Sequence, residues 1–439
     1  MPQIYIPWLK KTKKNLVNHT SKTEFYGWRL VFWGTAILFV SSGVGFYCQS
    51  VILDPLRNYH GWSKGTISSA LSFYFFIMGL SGTVVGRIID KYGSRPVLII
   101  GSVIMGLALL GMSLIQDIWQ LYIVYFIMAV GFTCTSLLPT TTLITNWFIR
   151  KRGFAMSLTM TGLSVGGIFI VPFATYLIAG WGIRLTLPVL GVLFWIIIIP
   201  IAIFFIRQHP SDLDQFPDGD SAENARYDKP VGSLSQASQT RIWTRVQAMR
   251  TMAFWSIVIA FLLGLGGQIT FMMHQVSFLG QYLGPIKAAY AVSITAAASI
   301  IGRFIMGLVV DRYDKRYMTI LCFMLQGSSL IALANTHHNI ALYFGTFIFG
   351  LTMGSILMMQ PLIVGECFGM VSFGTISGLA GLFGTSGSAF GPMIAGFIYD
   401  ATHSYDLAFT IFATASVLAS IIIYFAKPPD PDRLPIHAP

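Results

Sequence analysis

Charge is what this sequence has least of. Asp, Glu, Lys and Arg make up 10% of its 439 residues, hydrophobic residues 54%, and mean hydropathy is +0.68. A soluble domain carries about 25% charged residues, so a water-soluble multidomain protein is excluded. Cysteine is also sparse. The four cysteines, Cys48, Cys134, Cys322 and Cys367, fall in or beside four different apolar runs. None has metal-ligand spacing and no pair shares a loop, so neither a zinc site nor a disulfide framework is expected, and they read as small packing residues. The apolar runs hold no paired carboxylates and no nucleophile–base set, which disfavours an enzyme. There is no P-loop glycine pattern, so ATP hydrolysis is not expected to power the molecule. No cofactor or metal is expected. The first 25 residues are basic and polar with short apolar stretches, unlike a cleavable leader.

Long uncharged stretches are what the sequence has in abundance. About 20 apolar residues cross a hydrocarbon core near 30 Å thick. Twelve segments meet that length, at roughly 28–53, 65–88, 97–115, 119–146, 154–179, 185–206, 252–282, 287–310, 317–335, 340–364, 373–399 and 406–426. In lipid each segment must satisfy its own backbone amides, so these are helices. The fold class expected is an all-α membrane protein with twelve transmembrane helices.

A formal net charge of +11 raises the question of nucleic acid. With the N-terminus placed in the cytoplasm and loops assigned alternately, 23 of the 28 Lys and Arg fall inside and only Arg57, Lys64, Arg184 and Lys287 outside. Arg303 is left within a helix. That asymmetry sets membrane orientation and contacts anionic lipid, so no nucleic-acid partner is expected. The chain divides into a basic N-terminal tail (1–25), a six-helix bundle (26–206), a polar linker (207–250) low enough in apolar residues to be flexible, a second bundle (251–427) and a short tail (428–439).

The bundles share a repeat. The loop after the second segment reads Gly86-Arg-Ile-Ile-Asp90-Lys91-Tyr92-Gly93-Ser-Arg95, and that after the eighth reads Gly307-Leu-Val-Val-Asp311-Arg312-Tyr313-Asp314-Lys-Arg316, offset by 221 residues. Each follows an even-numbered segment, so the halves are parallel repeats related about the membrane normal.

Residues 86–95 resemble the signature of the major facilitator superfamily, with Asp314 standing where the family often has glycine. Tyr26-Gly27-Trp28-Arg29, Asn146-Trp147-Phe148, Gly302-Arg303 and Phe390-Gly391-Pro392 further resemble the monocarboxylate and oxalate/formate branch. The resemblance covers about residues 25–427. It implies a secondary carrier with two pseudo-symmetric six-helix bundles and an arginine in the eighth helix that binds substrate, matched here by Arg303.

Eight residues separate Arg303 from Asp311, placing it roughly 12 Å from the helix end. A cation at that depth costs on the order of 2.5–3.5 kcal/mol on insertion scales and needs a cavity, a partner or a path to the headgroups. Carbonyl capping is the structural reading; pairing with a carboxylate through the guanidinium fork is the functional one. Monocarboxylate carriers commonly place Asp one turn earlier, where this chain has Ser299, and the eleventh segment lacks the second cation of oxalate carriers. A monoanion is therefore favoured over a dianion. Tyr47, Gln360 and His274 are further candidates for the substrate pathway, His274 also as a proton relay. Gln49, Tyr74, Thr135, Ser136 and Gln268 could line it, although each alone suits a helix–helix hydrogen bond. Gly86, Asp90, Lys91, Arg95, Gly307, Asp311, Arg312 and Arg316 are expected to gate the cytoplasmic face. The glycines of the fifth segment (Gly162, Gly166, Gly167) and the eleventh (Gly378, Gly381, Gly384, Gly387) are expected to face the opposite half.

The function expected is transport of a small organic anion by alternating access, with or without a proton. A drug or metabolite exporter and a non-transporting sensor or scaffold of the same fold are the alternatives. The expected setting is a monomer in the cell membrane with both termini cytoplasmic.

Overall fold

The computed structural model describes residues 25–149, 151–219, 243–310, 312–336, 338–369 and 373–429. Among them every regular element is a helix. Ten stretches are long and apolar enough to cross a membrane. One of these, Gly153–Phe205, breaks at Gly182, whose φ of 75° is not helical; glycine alone takes that turn without strain. Counting its two parts and the 30-residue helix Phe373–Thr402, twelve spans result.

They are α1 (Gly27–His60), α2 (Lys64–Tyr92), α3 (Ser94–Met112), α4 (Ile118–Trp147), α5 (152–181) and α6 (183–205) in the first half. The second half comprises α7 (Met252–Leu283), α8 (Pro285–Val309), α9 (Lys315–Asn335), α10 (Asn339–Phe368), α11 (Phe373–Thr402) and α12 (Asp406–Ile423). An even number of spans returns the chain to the face where it began. We call that the terminal face and the opposite one the distal face.

α1 contains a π-helical turn at Gly43–Tyr47 and runs to His60, beyond the apolar run, carrying Asp54 and Arg57 to the distal face. α1 packs on α5 and α7 on α11, one pair in each half; α2 packs on α11 and α5 on α8, joining the halves.

Small residues set these distances. A Cβ on Gly162 would strike the Thr35 carbonyl oxygen, and one on Gly166 that of Phe39; one on Gly387 would strike that of Leu262. The expectation that these glycines face the opposite half is thus corrected: they join α5 to α1 and α11 to α7 inside each half. Gly384 likewise meets Gln360 of its own half, and Gly378 and Gly381 have no neighbour within 4 Å among the described residues.

The expected flexible linker is also corrected at its ends. Gln208 caps α3 by accepting from the Ser94 N–H at 2.8 Å, and Gln215 accepts from the Tyr26 N–H at 3.0 Å. Asp218 accepts from the N–H groups of Ile149 and Lys151. On the other side Trp243 is buried before a short helix, Arg245–Met249. Residues 220–242, like the tails 1–24 and 430–439, lie outside the described residues.

Candidate functional site

The position of Arg303 follows from its neighbour. A Cβ on Gly302 would run into the Leu351 carbonyl oxygen of α10, and one on Gly354 into that of Ser299 on α8. Ser355 donates to the Gly302 carbonyl at 3.1 Å. α8 is thereby seated on α10 with Gly302 at the contact, and the next residue turns about 100° away. Arg303 points across to the first half, where its Nη1 lies 3.5 Å from the Met160 carbonyl of α5. That is the outer limit of a hydrogen bond. The side chain is half-buried, neither sealed nor stretched into the open. Among the described residues no carboxylate pairs with it.

Tyr47 closes the π-turn of α1 from the facing side. A π-turn frees a backbone carbonyl, and the Gly45 carbonyl accepts from Tyr74 Oη at 2.8 Å and Gln49 Nε2 at 3.3 Å. The Tyr47 ring lies on Gly167, where a Cβ would stand 2.8 Å from it. Its hydroxyl is within reach of Ser164, and the phenol and the Arg303 guanidinium are close enough to interact electrostatically. Ser164 of α5 meets Ser299 of α8 hydroxyl to hydroxyl at 2.9 Å, one turn before Arg303. A single guanidinium among neutral hydroxyls, drawn from α1, α5 and α8, is the result. Guanidinium N–H pairs match the two oxygens of a carboxylate, and phenol and serine hydroxyls can donate to a third.

The other candidates stand elsewhere. Gln360 Nε2 donates to the Ala380 carbonyl of α11 at 3.2 Å. His274 is fully buried with Nε2 3.0 Å from the Pro392 carbonyl and Nδ1 3.0 Å from Tyr405 Oη. A carbonyl only accepts, so this network assigns the proton to Nε2 and lets Nδ1 accept from Tyr405. Among the described residues neither joins the Tyr47–Arg303 group. Tyr74 and Gln49 serve the π-turn, Thr135 meets Ser41 at 3.2 Å, and Ser136 marks a break in α4 with φ −99° and ψ −138°. Gln268 stands 221 residues after Tyr47, the offset of the loop repeat. It is buried, and its Oε1 has no hydrogen-bond partner among the described residues. Ser164 was missed by sequence reading. Only its one-turn spacing from the small residues of α5 sets it apart, and many helix-packing serines share that.

The Major Facilitator Superfamily model matches residues 35–285 and 272–439. The chain belongs to the Major Facilitator Superfamily. It is similar to MFS-type transporter 1 of Ophiocordyceps sp., at 29% identity over 71% of this chain and 64% of that protein, so it spans somewhat under two thirds of that relative. It is similar to monocarboxylate transporter 2 of Meriones unguiculatus at 23% identity, over 91% of this chain and 84% of the other. In fold it resembles a bacterial homolog of the human lysosomal transporter Spinster, in an inward-facing and occupied conformation, with a TM-score of 0.68 at 15% identity, covering 91% and 95% of the two chains. The protein is therefore a multi-pass membrane transporter of this superfamily, resembling its monocarboxylate branch, and not an enzyme.

The superfamily loop signature takes two forms here. Lys91, Arg95 and Arg312 are exposed on the terminal face. The Asp90 side chain and all of Asp311 lie outside the described residues. Gly93 has φ 83° and a backbone only glycine adopts freely. Its counterpart Asp314 has φ −59°, and its carboxylate accepts from the Arg316 N–H to cap α9. The departure from the family pattern thus replaces a turn glycine with a helix cap. The Arg316 hydrogen bond holds the Asp314 carboxyl below the usual carboxylate range.

Proposed function

We propose that this transporter is a secondary carrier for a small organic monoanion of the monocarboxylate type, working by alternating access of its two halves, in the cell membrane with the terminal face cytoplasmic. The observation that carries the reading is Arg303: one half-buried guanidinium on the seam between the halves, beside Tyr47, without a carboxylate partner among the described residues. A charge in that position demands a counter-ion, and a cargo carboxylate supplies it. Likeness to a protein named a monocarboxylate transporter supports the same class.

The exporter alternative requires a buried acid in the first half. Asp54 is the acid nearest to that description, and it sits at the distal end of α1 paired with Lys64. A sensor or scaffold would carry no flux.

Proteoliposome uptake of labelled lactate, pyruvate, formate, oxalate and a neutral sugar, with and without a pH gradient, tests the proposal. Uptake of at least one monoanion is expected, and Arg303→Ala should abolish it while the purified protein stays monodisperse. Undiminished anion uptake by that variant would overturn the reading; an absence of flux for every anion would favour the sensor.

A further inference from the structure

The distal ends of the two halves are pinned by a carboxylate that belongs to neither loop signature. Asp400, at the distal end of α11, accepts from the backbone N–H groups of Lys64 at 3.0 Å and Gly65 at 2.6 Å. These are orphan donors of the first turn of α2, a 29-residue helix of the opposite half, where helix polarity also favours negative charge. Glycines make the approach possible. A Cβ on Gly65 would stand 2.8 Å from Asp400 Oδ2, and one on Gly396 2.6 Å from Ser68 Oγ and 3.0 Å from the Gly65 Cα. Ser72 Oγ of α2 accepts from the Met393 N–H of α11 at 3.1 Å.

Lys64 completes the seam. Its side chain, 2% exposed, places Nζ 3.2 Å from Asp54 Oδ1 in its own half. Across the seam Nζ is 3.2 Å from Tyr405 Oη and 3.8 Å from the centre of the Tyr399 ring. Tyr405 in turn donates to His274. The sequence had placed Lys64 in an outer loop; it is instead a buried ammonium held by both halves.

The two helices are assembled from the same parts in opposite directions. α2 opens with Gly65-Thr66-Ile67-Ser68 and ends with Gly86-x-x-x-Asp90. α11 opens near Gly374-Thr375-Ile376-Ser377 and ends with Gly396-x-x-x-Asp400. They pack antiparallel, and the acid-bearing end of α11 meets the opening of α2. Gly396 is pressed against α2, whereas among the described residues Gly86 has only Leu138 within 4 Å and Gly307 has nothing.

We propose that Gly396, Asp400 and Lys64 form a distal latch that must break each time the distal face opens, and whose strength sets which way the carrier faces at rest. Opening would strip Asp400 from two backbone donors and leave Lys64 with Asp54 alone. The latch therefore weights the closed state, as any interaction made in one state only must.

The test is the distance between spin labels at Asn58→Cys and Lys287→Cys, both exposed at the distal ends of opposite halves. The four native cysteines are buried. Double electron–electron resonance on the full chain in liposomes should show one short distance. Asp400→Asn, which keeps the shape and removes the charge, should move the closed-to-open ratio by about tenfold toward a longer distance, the scale of losing charge-assisted hydrogen bonds. Gly396→Leu, which wedges the helices apart, should do the same. An unchanged distance distribution in folded Asp400→Asn overturns the latch, whether or not Gly396→Leu folds. If Asp400→Asn does not fold, Gly396→Leu decides by the same criterion. Should neither fold, Asp400→Glu, one methylene longer, must still lengthen the distance or the proposal fails. No cargo is needed, so this outcome is independent of the anion reading.

Discussion

Arg303 and Ser299 sit one helical turn apart on α8, and the identity of the second decides whether the first is already paired. With serine there, whose hydroxyl meets that of Ser164, the guanidinium has the Tyr47 phenol beside it and no carboxylate among the described residues, and so is open to a ligand. Ser299→Asp would place a carboxylate four residues before the arginine, within reach of a side-on pair. We expect apparent anion affinity to fall about tenfold or more at neutral pH and to recover on acidification, as the new carboxylate is neutralised and releases the guanidinium. Uptake measured across pH checks this, and an affinity equal to that of the parent at every pH would show that Ser299 does not face the site. Residue types at this scale were readable from the sequence where they were anomalous. An arginine inside an apolar helix announces itself. Ser164, whose hydroxyl is unremarkable in a membrane helix, does not, and neither does the pairing of His274 with Tyr405, 131 positions away.

Helix α8 keeps its register because α10 is glycine-notched. Gly350 approaches the Thr295 carbonyl oxygen of α8, where a Cβ would lie 2.5 Å away, and Gly302 and Gly354 are tighter still. Backbone atoms cannot yield as a flexible side chain does. Gly354→Ala should therefore force the helices apart and misdirect Arg303, at a cost of about 1–3 kcal/mol for overpacking. The expected result is a thermal midpoint lowered in detergent together with reduced anion uptake. An unaltered midpoint would mean that the helices tolerate a methyl group there. The twelve spans were legible because hydropathy in lipid is a strong constraint, and most observed ends fall within a few residues of those read from sequence. The misjudged end is instructive. α1 runs on through Leu53-Asp54-Pro55-Leu56-Arg57, where polarity suggests a loop, because Asp54 is tied to Lys64 and the helix leaves the apolar layer without unwinding. Which helix each glycine face touches was not legible, since spacing shows a close contact but not the partner.

Across the whole molecule the seam between halves runs through α2–α11 and α5–α8, with the latch at the distal end and the Ser164–Ser299 bridge deeper in. If Arg303 binds the cargo, the empty carrier must take an uncompensated guanidinium through its closed form, whereas the loaded carrier passes as a neutral pair. Desolvating an unpaired charge costs several kcal/mol. Exchange of internal for external anion should therefore run at least about tenfold faster than net uptake into anion-free liposomes. Equal rates, with or without a pH gradient, would show that the empty site returns freely and that the charge is neutralised by another route.

The wide turn at Gly43–Tyr47 has an arithmetic consequence. In a regular helix positions four apart drift by about 40° per step. The extra residue in this turn takes up the drift at the last step, so Tyr47 meets Gly167 on the side of α1 where Thr35 meets Gly162 and Phe39 and Gly43 meet Gly166. Shortening α1 by a single residue there would leave its composition and hydropathy almost untouched, yet swing the phenol roughly 100° off the seam. The place of Tyr47 is thus kept by a count of residues, which no inspection of side-chain chemistry at that position would reveal.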